Sequence, residues 1–199
     1  MENIPCDNHE TNLEKEEISH SDFFFDFFQT VCKGLIIILI ITSFIFEMCT
    51  VIGTSMMGTL EDGDRLIISN LFYEPEQFDI IVFHHLGSLN EPLVKRIIAT
   101  ENQWIKINSI EGKIYVSDDE IIDESDLIDE SAYVYLDSGY YRSYYNQTHQ
   151  VPEGHVFVLG DNRNNSLDSR SSEIGFIDTR TIIGKVVFRI SGKSIGAVQ

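Results

Sequence analysis

The chain is poor in basic residues. Its 199 residues include 14 lysines and arginines against 32 aspartates and glutamates, which gives a formal net charge of −18. A protein that binds nucleic acid needs a basic surface, so this balance argues against a nucleic-acid partner. Cysteine is also scarce, with three residues, at positions 6, 32 and 49, and none in the main domain beyond residue 50. That domain therefore has no disulfide framework.

The sequence also lacks the usual metal-binding patterns. No Cys-x-x-Cys or Cys/His zinc spacing is present. The adjacent histidines His84 and His85 would point to opposite faces of a strand, so they do not form a ligand pair. We expect neither a metal ion nor a cofactor.

No uncharged apolar run is long enough by itself to cross a bilayer. The longest, 34–46, has 13 residues, whereas a spanning helix needs about 17–25. Lys33 can snorkel and apolar residues continue beyond Glu47, so we predict a transmembrane anchor over 30–50. A cleavable signal peptide is disfavoured by the long acidic lead and the lack of an A-x-A site. A buried core helix is disfavoured because the run has no amphipathic period.

The anchor would divide the chain into three parts. We predict an acidic cytoplasmic arm over 1–29 and an extracytoplasmic β-rich domain over 51–199, with a variable insertion at about 101–150. Residues 1–33 contain Lys15 and Lys33, whereas the first stretch after the span contains Arg65, so the balance slightly favours a cytoplasmic N-terminus.

Beyond the anchor the sequence consists of short runs typical of β-strands, separated by turn signals such as EDGD at 61–64. No strongly amphipathic helix follows the anchor. We therefore predict a mostly β fold, with an antiparallel β-sheet or barrel-like domain after one N-terminal transmembrane helix. The predicted strands are 50–52, 65–68, 80–83, 93–98, 104–107, 113–116, 155–159 and 182–190.

The insertion contains an acidic stretch at 118–130, followed by six tyrosines between 133 and 145. Tyrosine joins a flat apolar face to a polar tip, so these side chains could line a peptide or lipid-headgroup surface. A small satellite core under a long insertion is the preferred interpretation, and we assign no functional site there.

Two short strings carry the chemistry. GTSMMGTL at 53–60 places Ser55 just after the anchor, and PLVKRII at 92–98 places Lys95 on an apolar strand. Burial lowers the pKa of a lysine, and a neutral lysine can take the proton of a serine hydroxyl. The pair therefore indicates a Ser–Lys hydrolase at a membrane surface. The strand alone favours a different interpretation, in which Lys95 and Arg96 both reach solvent from an edge strand.

Five ordered strings, GTSMMGTL, EDGDRLIIS, FDIIVF, PLVKRIIA and GDNRNNSLDSR, resemble the bacterial signal peptidase I family, in particular the small clostridial-type enzymes. The resemblance covers about 34–191. It implies a serine endopeptidase that removes signal peptides from preproteins after small residues at −1 and −3, with Ser55 as nucleophile and Lys95 as general base. We expect a monomer anchored in the lipid bilayer of the cell membrane by a single span.

The resemblance also implies supporting roles. Ser166 would hydrogen-bond the lysine amine and orient it. The 160–170 loop would be supported by Asp161, Asn162 and the ion pair of Asp168 with Arg170.

The surroundings of Ser55 depart from the family pattern. An oxyanion hole would use the backbone N–H of Ser55, and its second donor must also be a backbone N–H because Gly53 has no side chain. Many members have proline where this chain has Gly58, which we expect to loosen the turn slightly. Candidates to line small apolar subsites are Val51, Ile52, Met56 and Leu60, for which core packing is the alternative.

Four other functions stay open. The chain could be a processing peptidase dedicated to one surface system, a self-cleaving repressor-like protein, a catalytically inactive assembly factor, or a histidine-based hydrolase. The span beside Ser55 argues against the repressor, and the presence of Ser55, Lys95 and Ser166 argues against the inactive factor. A histidine-based hydrolase would use His84, His85 or His155.

Overall fold

A computed structural model of the protein describes residues 20–85, 91–108, 110–136, 146–191 and 195–197. The chain divides into two compact units between Thr42 and Ser43. Outside the described residues lie most of the predicted acidic arm and four of the six clustered tyrosines, at positions 140, 141, 144 and 145.

The first element is the helix α1, His20–Ile45. Between Phe23 and Ile41 most of its side chains are apolar and exposed, as at Ile38 and Leu39. Within it, the 21 residues Phe23–Ser43 are long and apolar enough to cross a membrane. This segment differs from the predicted 30–50 at both ends, because the aromatic stretch 23–28 is helical and 46–50 form a strand.

The chain from Phe46 onward is mostly β, as predicted. Its strands are β1 (Phe46–Thr50), β2 (Arg65–Ser69), β3 (Ile80–Phe83), β4 (Leu93–Ala99), β5 (Trp104–Asn108), β6 (Lys113–Ser117), β7 (Asn146–Gln150), β8 (His155–Leu159), β9 (Ile177–Asp178), β10 (Ile182–Ile190) and β11 (Ile195–Ala197). Two short 3-10 helices cover Glu124–Asp126 and Thr179–Thr181.

The main sheet is antiparallel and has the order β1-β2-β10-β3-β4-β8-β9, with β11 paired to β10. Over the described ranges it is an open path with β1 and β9 at its ends. All four residues of β3 are buried, because the sheet carries an apolar cluster on each face. Ile80 and Val82 belong to one cluster, while Ile81 and Phe83 belong to the other.

The predicted insertion contains a second, three-stranded antiparallel sheet in the order β6-β5-β7. Its isoleucines Ile105, Ile107 and Ile114 pack with Phe157 and Leu159 of β8 in a third apolar cluster. This packing buries β8, and the 160–170 loop begins where that strand ends.

Two connections and one strand form the site. The turn 53–60 lies between β1 and β2, and its base is closed by hydrogen bonds from Val51 N to Asp64 O (2.8 Å) and from Gly63 N to Val51 O (2.9 Å). The 160–170 loop follows β8. The strand β4 pairs with both β3 and β8 and carries Lys95.

Candidate active site

Lys95 and Ser55 are in direct contact. Lys95 Nζ lies 2.7 Å from Ser55 Oγ and also donates to the carbonyl of Val94 at 3.0 Å. The lysine is only 3% exposed, and this burial lowers the pKa of Lys95 to about 8, although the carboxylates of Asp168 and Asp161 oppose the shift. Lys95 is therefore not the solvent-reaching edge cation that the strand alone favoured.

Arg96 is buried as well, at 1% exposure. Its Nε and Nη2 donate to the two oxygens of Asp161 at 3.0 and 2.9 Å, and Thr59 Oγ1 donates to the same carboxylate at 2.6 Å. This bidentate, fully buried ion pair ties β4 to the 160–170 loop. The sequence indicated Arg96 only as a second cation, because the spacing of Arg96 and Asp161 has no local pattern.

Asn162 connects the same loop to the nucleophile. Its backbone N–H donates to Ser55 O at 2.9 Å, and its Nδ2 donates to Thr54 O at 3.0 Å. Asn165 Nδ2 adds a bond to Thr54 Oγ1 at 2.8 Å. The peptide that carries Ser55 is therefore held by the loop from one side.

Asp168 and Arg170 lie in contact further along the loop. Arg170 Nε and Nη2 donate to the Asp168 carboxylate at 2.8 and 2.7 Å. Asp168 also accepts the Gly160 N–H at 3.1 Å, and Arg170 Nη2 donates to Arg163 O at 2.8 Å. The ion pair therefore connects the end of the 160–170 loop to its beginning at Gly160 and Arg163.

Ser166 lies against Gly160. Its Oγ is buried and, in the part of the chain that the structure describes, has no hydrogen-bond partner. The direct bond to Lys95 that the resemblance implies is therefore not formed in this structure. A Cβ at position 160 would lie 2.2 Å from Ser166 Oγ and 2.6 Å from Ser55 O. Gly160 is thus a site residue that the sequence indicated only as the first residue of the GDNRNNSLDSR string, without a role of its own.

The backbone around Ser55 limits the oxyanion donors. Gly53 N–H donates to Asp62 Oδ1 at 2.7 Å, so it is already engaged. Gly58 has a φ of 106°, a left-handed conformation that glycine permits and proline does not. The expectation that glycine only loosens this turn is therefore corrected, because its backbone requires glycine.

A cleft of about 460 Å³ opens beside the Ser55–Lys95 pair. Val51, Ile52 and Met56, the other candidates for substrate binding, line it, although Val51 and Met56 also belong to the buried apolar cluster. Leu60 does not line the cleft, because it is fully buried in the apolar cluster of the main sheet, and its assignment is corrected to the core. Cys49 also lines the cleft from β1, so one cysteine lies in the β domain, contrary to expectation.

The opposite wall of the cleft is the first half of β4, with Leu93, Val94 and Lys95. This stretch pairs with β3, but β8 joins β4 only from Arg96 onward. Among the described residues, one backbone edge of β4 is therefore unpaired beside the cleft. An extended peptide can add to such an edge as a further strand.

The histidines lie elsewhere. His84, His85 and His155 line a smaller cleft with Asp178 and do not line the cleft of Ser55. The structure therefore offers no support for a histidine-based hydrolase. In the described ranges, no group of three His, Cys, Asp or Glu side chains is arranged to hold a metal ion.

Known proteins resemble this chain over most of its length. The family model described as "Signal peptidase, peptidase S26" matches residues 24–191. Thylakoidal processing peptidase 1 of Arabidopsis thaliana is 36% identical over 150 residues, which are 69% of this chain and 39% of that protein. A probable signal peptidase I-1 of Synechocystis sp. is 33% identical over 166 residues, or 78% of this chain and 76% of that protein. A signal peptidase I of Bacillus caldolyticus is 36% identical over 155 residues, or 73% and 80%. The chain thus spans about two fifths of the Arabidopsis relative and at least three quarters of the bacterial ones.

Proposed function

The chain belongs to the family of signal peptidase, peptidase S26, and from that membership we propose that it is a membrane-bound serine endopeptidase that removes N-terminal signal peptides from preproteins. The family and the apolar helix α1 together indicate a membrane protein. One observation carries the proposed mechanism: the amine of a buried lysine lies 2.7 Å from a serine hydroxyl at the wall of an apolar cleft.

The reaction proceeds through an acyl-enzyme. Ser55 Oγ attacks the carbonyl carbon of the scissile bond while the neutral amine of Lys95 takes its proton. The backbone N–H of Ser55 donates to the oxyanion, together with a second backbone N–H other than that of Gly53. Lys95 returns the proton to the leaving amine, and the C–N bond breaks to leave an ester on Ser55. Water then attacks the ester carbonyl while Lys95 takes its proton, and Lys95 returns that proton to Ser55 Oγ as the C–O bond to the acyl group breaks.

Ser166 orients the amine in this proposal. A neutral amine has one lone pair and two N–H groups; the lone pair must face Ser55, and one N–H has the carbonyl of Val94 as acceptor. The buried, unpartnered Ser166 hydroxyl is a suitable acceptor for the second N–H after its side chain rotates. Asp161, Asn162, Asp168 and Arg170 hold the loop that carries it.

The substrate binds as an extended segment along the unpaired edge of β4. Alternate residues of an extended chain face the same side, so the residues at −1 and −3 both point into the cleft. Small side chains at these two positions are what the family resemblance implies, and Val51 and Met56 would give them apolar contacts. The enzyme acts as a monomer, with its N-terminus in the cytoplasm and its β domain outside.

The test is cleavage of a secretory preprotein in lipid vesicles by the parent, Ser55→Ala and Lys95→Ala, with His155→Ala as control. We expect cleavage after the A-x-A site by the parent and by His155→Ala, and a loss of about 10³-fold or more in each dyad variant. Normal cleavage by Lys95→Ala would contradict the proposed role of Lys95 as the general base of Ser55. A parent that cuts one preprotein of a broad panel would be a dedicated processing peptidase, and one that cuts none but binds a surface subunit would be an assembly factor.

A further inference from the structure

The segment 130–135 begins at the last residue of the acidic stretch 118–130 of the insertion, where no functional site was predicted. We call this segment the strap. It turns on itself, with the N–H groups of Tyr133 and Val134 donating to Glu130 O at 3.2 and 3.0 Å. It contacts both segments that carry the Ser55 site, the 160–170 loop and the turn 53–60.

The first contact is the ion pair of Glu130 with Arg163. The arginine is 1% exposed, and its two terminal nitrogens bind the two carboxylate oxygens of Glu130, with Nη1 2.6 Å from Oε2. Its Nε donates to Gly160 O at 3.1 Å. Because a bidentate pair fixes the plane of the guanidinium, Glu130 determines where the Gly160 carbonyl is held. Gly160 is the residue against which Ser166 Oγ and Ser55 O pack.

The second contact is with Arg96 and its partner. The ring of Tyr133 lies 4.2 Å from the Arg96 guanidinium carbon, and its hydroxyl donates to Glu130 Oε1 at 3.2 Å. Tyr135 N–H donates to Asp161 O at 2.8 Å. The strap thus contacts both members of the buried pair that ties β4 to the loop.

The third contact is with the turn of the nucleophile. A Cβ at Gly58 would lie 3.1 Å from Tyr133 O and 3.2 Å from Tyr135 Cβ. The strap backbone therefore packs directly on a glycine of the same turn that presents Ser55. The insertion therefore contacts both the 160–170 loop and the turn 53–60.

We propose that the strap is a positioning element of the active site, with Glu130 and Tyr133 as positioning residues. They hold Arg163 and Arg96, and through them the stretch 160–163, whose Asn162 N–H bonds Ser55 O. The expected effect of the strap on kcat rests on the proposed function. No strap residue lines the Ser55 cleft, so the strap does not contact bound substrate. Disrupting the strap should therefore lower kcat and leave KM unchanged.

Five variants of the full chain in detergent micelles separate the effect of geometry from that of charge. Glu130→Gln removes the carboxylate, while Arg163→Lys keeps a cation beside Glu130 but cannot hold the Gly160 carbonyl through a planar fork. Glu120→Gln is the matched control, with the same substitution in the same acidic stretch but at an exposed side chain outside the strap. We expect kcat to fall about 10- to 100-fold in the first two variants, with KM within about twofold and the control unaffected. Tyr133→Leu, which removes the ring beside Arg96, should also lower kcat, and Tyr133→Phe, which keeps the ring but loses the bond to Glu130, should lower it less.

Hydrogen exchange of the Asn162 amide provides a readout that needs no cleavage. We expect exchange to accelerate about tenfold or more in Glu130→Gln, Arg163→Lys and Tyr133→Leu, at temperatures where each is folded. Parental kcat and parental exchange in folded Arg163→Lys and Tyr133→Leu would overturn the proposal. So would a loss of activity that disappears once rates are divided by the folded fraction. If the parent cuts no preprotein, the proposed function fails, and the exchange measurement still decides the role of the strap.

Discussion

At the Lys95 amine, desolvation outweighs the attraction of two nearby carboxylates, so the pKa of Lys95 falls to about 8. A general base must be neutral, and below its pKa the neutral fraction falls about tenfold for each pH unit. We therefore expect kcat/KM on a soluble peptide to rise with pH, to reach half its plateau near pH 8 and to stay level above it. Initial rates measured between acidic and alkaline pH would give this midpoint directly.

Two variants test whether the midpoint of the pH profile reports the titration of Lys95. Lys95→Arg keeps the positive charge but cannot become neutral, so it should be inactive at every pH. Asp168→Asn removes a charge that raises the pKa of Lys95, so the midpoint should move to lower pH. A midpoint near 6.5, as an ordinary histidine gives, that vanished in His155→Ala would contradict the assignment.

Gly160 is the residue most sensitive to added volume. A methyl group there meets Ser166 Oγ at 2.2 Å and Ser55 O at 2.6 Å, and the second atom is backbone that cannot rotate away. We expect Gly160→Ala to destabilise the fold by about 1–3 kcal/mol and to lower kcat about tenfold or more. Urea unfolding and single-turnover cleavage would measure the two effects. Gly196→Ala is the control, since a Cβ there has nothing within 4 Å; equal behaviour of the two variants would refute the argument.

The dyad of Ser55 and Lys95 differs from Gly160 in how far the sequence could predict it. Ser55 and Lys95 stand in strings that resemble a known family, but the burial of Lys95 was undecided because it depends on a turn and a loop far along the chain. Gly160 begins the GDNRNNSLDSR string, but the resemblance assigned it no role. Its need for a missing side chain arises only where Ser166 and Ser55 meet it in space.

At the scale of elements, seven of the predicted strands match observed ones to within one residue, for example 80–83 and 182–190. These strands are buried, so their apolar runs carry the signal. The prediction for 50–52 was wrong, because β1 ends at Thr50. The strand β7, with the sequence NQTHQ, is polar and was not predicted, because its place in the sheet comes from backbone pairing with β5 rather than from an apolar run.

The ion pairs that join the elements contribute very different amounts to the free energy of unfolding. Asp161→Asn leaves Arg96 as a buried cation without its carboxylate, so we expect the free energy of unfolding to fall by about 3–5 kcal/mol. Asp178→Asn breaks the pair with the largely exposed Arg180 and should leave that free energy unchanged within error. Urea titrations of both variants beside the parent would show the contrast, and equal losses would mean that the Arg96–Asp161 pair does not bind β4 to its loop.

For the whole molecule, the apolar helix and the β domain have separate roles in stability. All three apolar clusters consist of residues between Cys49 and Val186, so no described core residue comes from α1. The sequence predicted one anchor and one β domain. It did not predict their boundary, because residues 46–50 are apolar enough to continue a span and become a strand only by pairing with β2.

We therefore expect a chain that starts at Ser43 to keep the urea midpoint of the full chain. It should also cleave a soluble peptide with kcat/KM within about threefold of the full chain, because the Ser55 cleft is formed by residues of the β domain alone. A preprotein inserted in vesicles presents a different situation. The anchor confines enzyme and substrate to one surface and so raises their effective concentration, and its removal should lower the cleavage rate about 100-fold or more.

The comparison of the two substrates isolates this effect, since a damaged active site would slow both and a lost anchor slows only one. Ser55→Ala in the full and shortened chains gives the background for each substrate. Equal rates of the two chains on the vesicle-bound preprotein would show that the β domain reaches the membrane without the helix. In that case the surface that binds lipid must lie on the β domain itself, and co-localisation would no longer explain why the site follows so closely after the span.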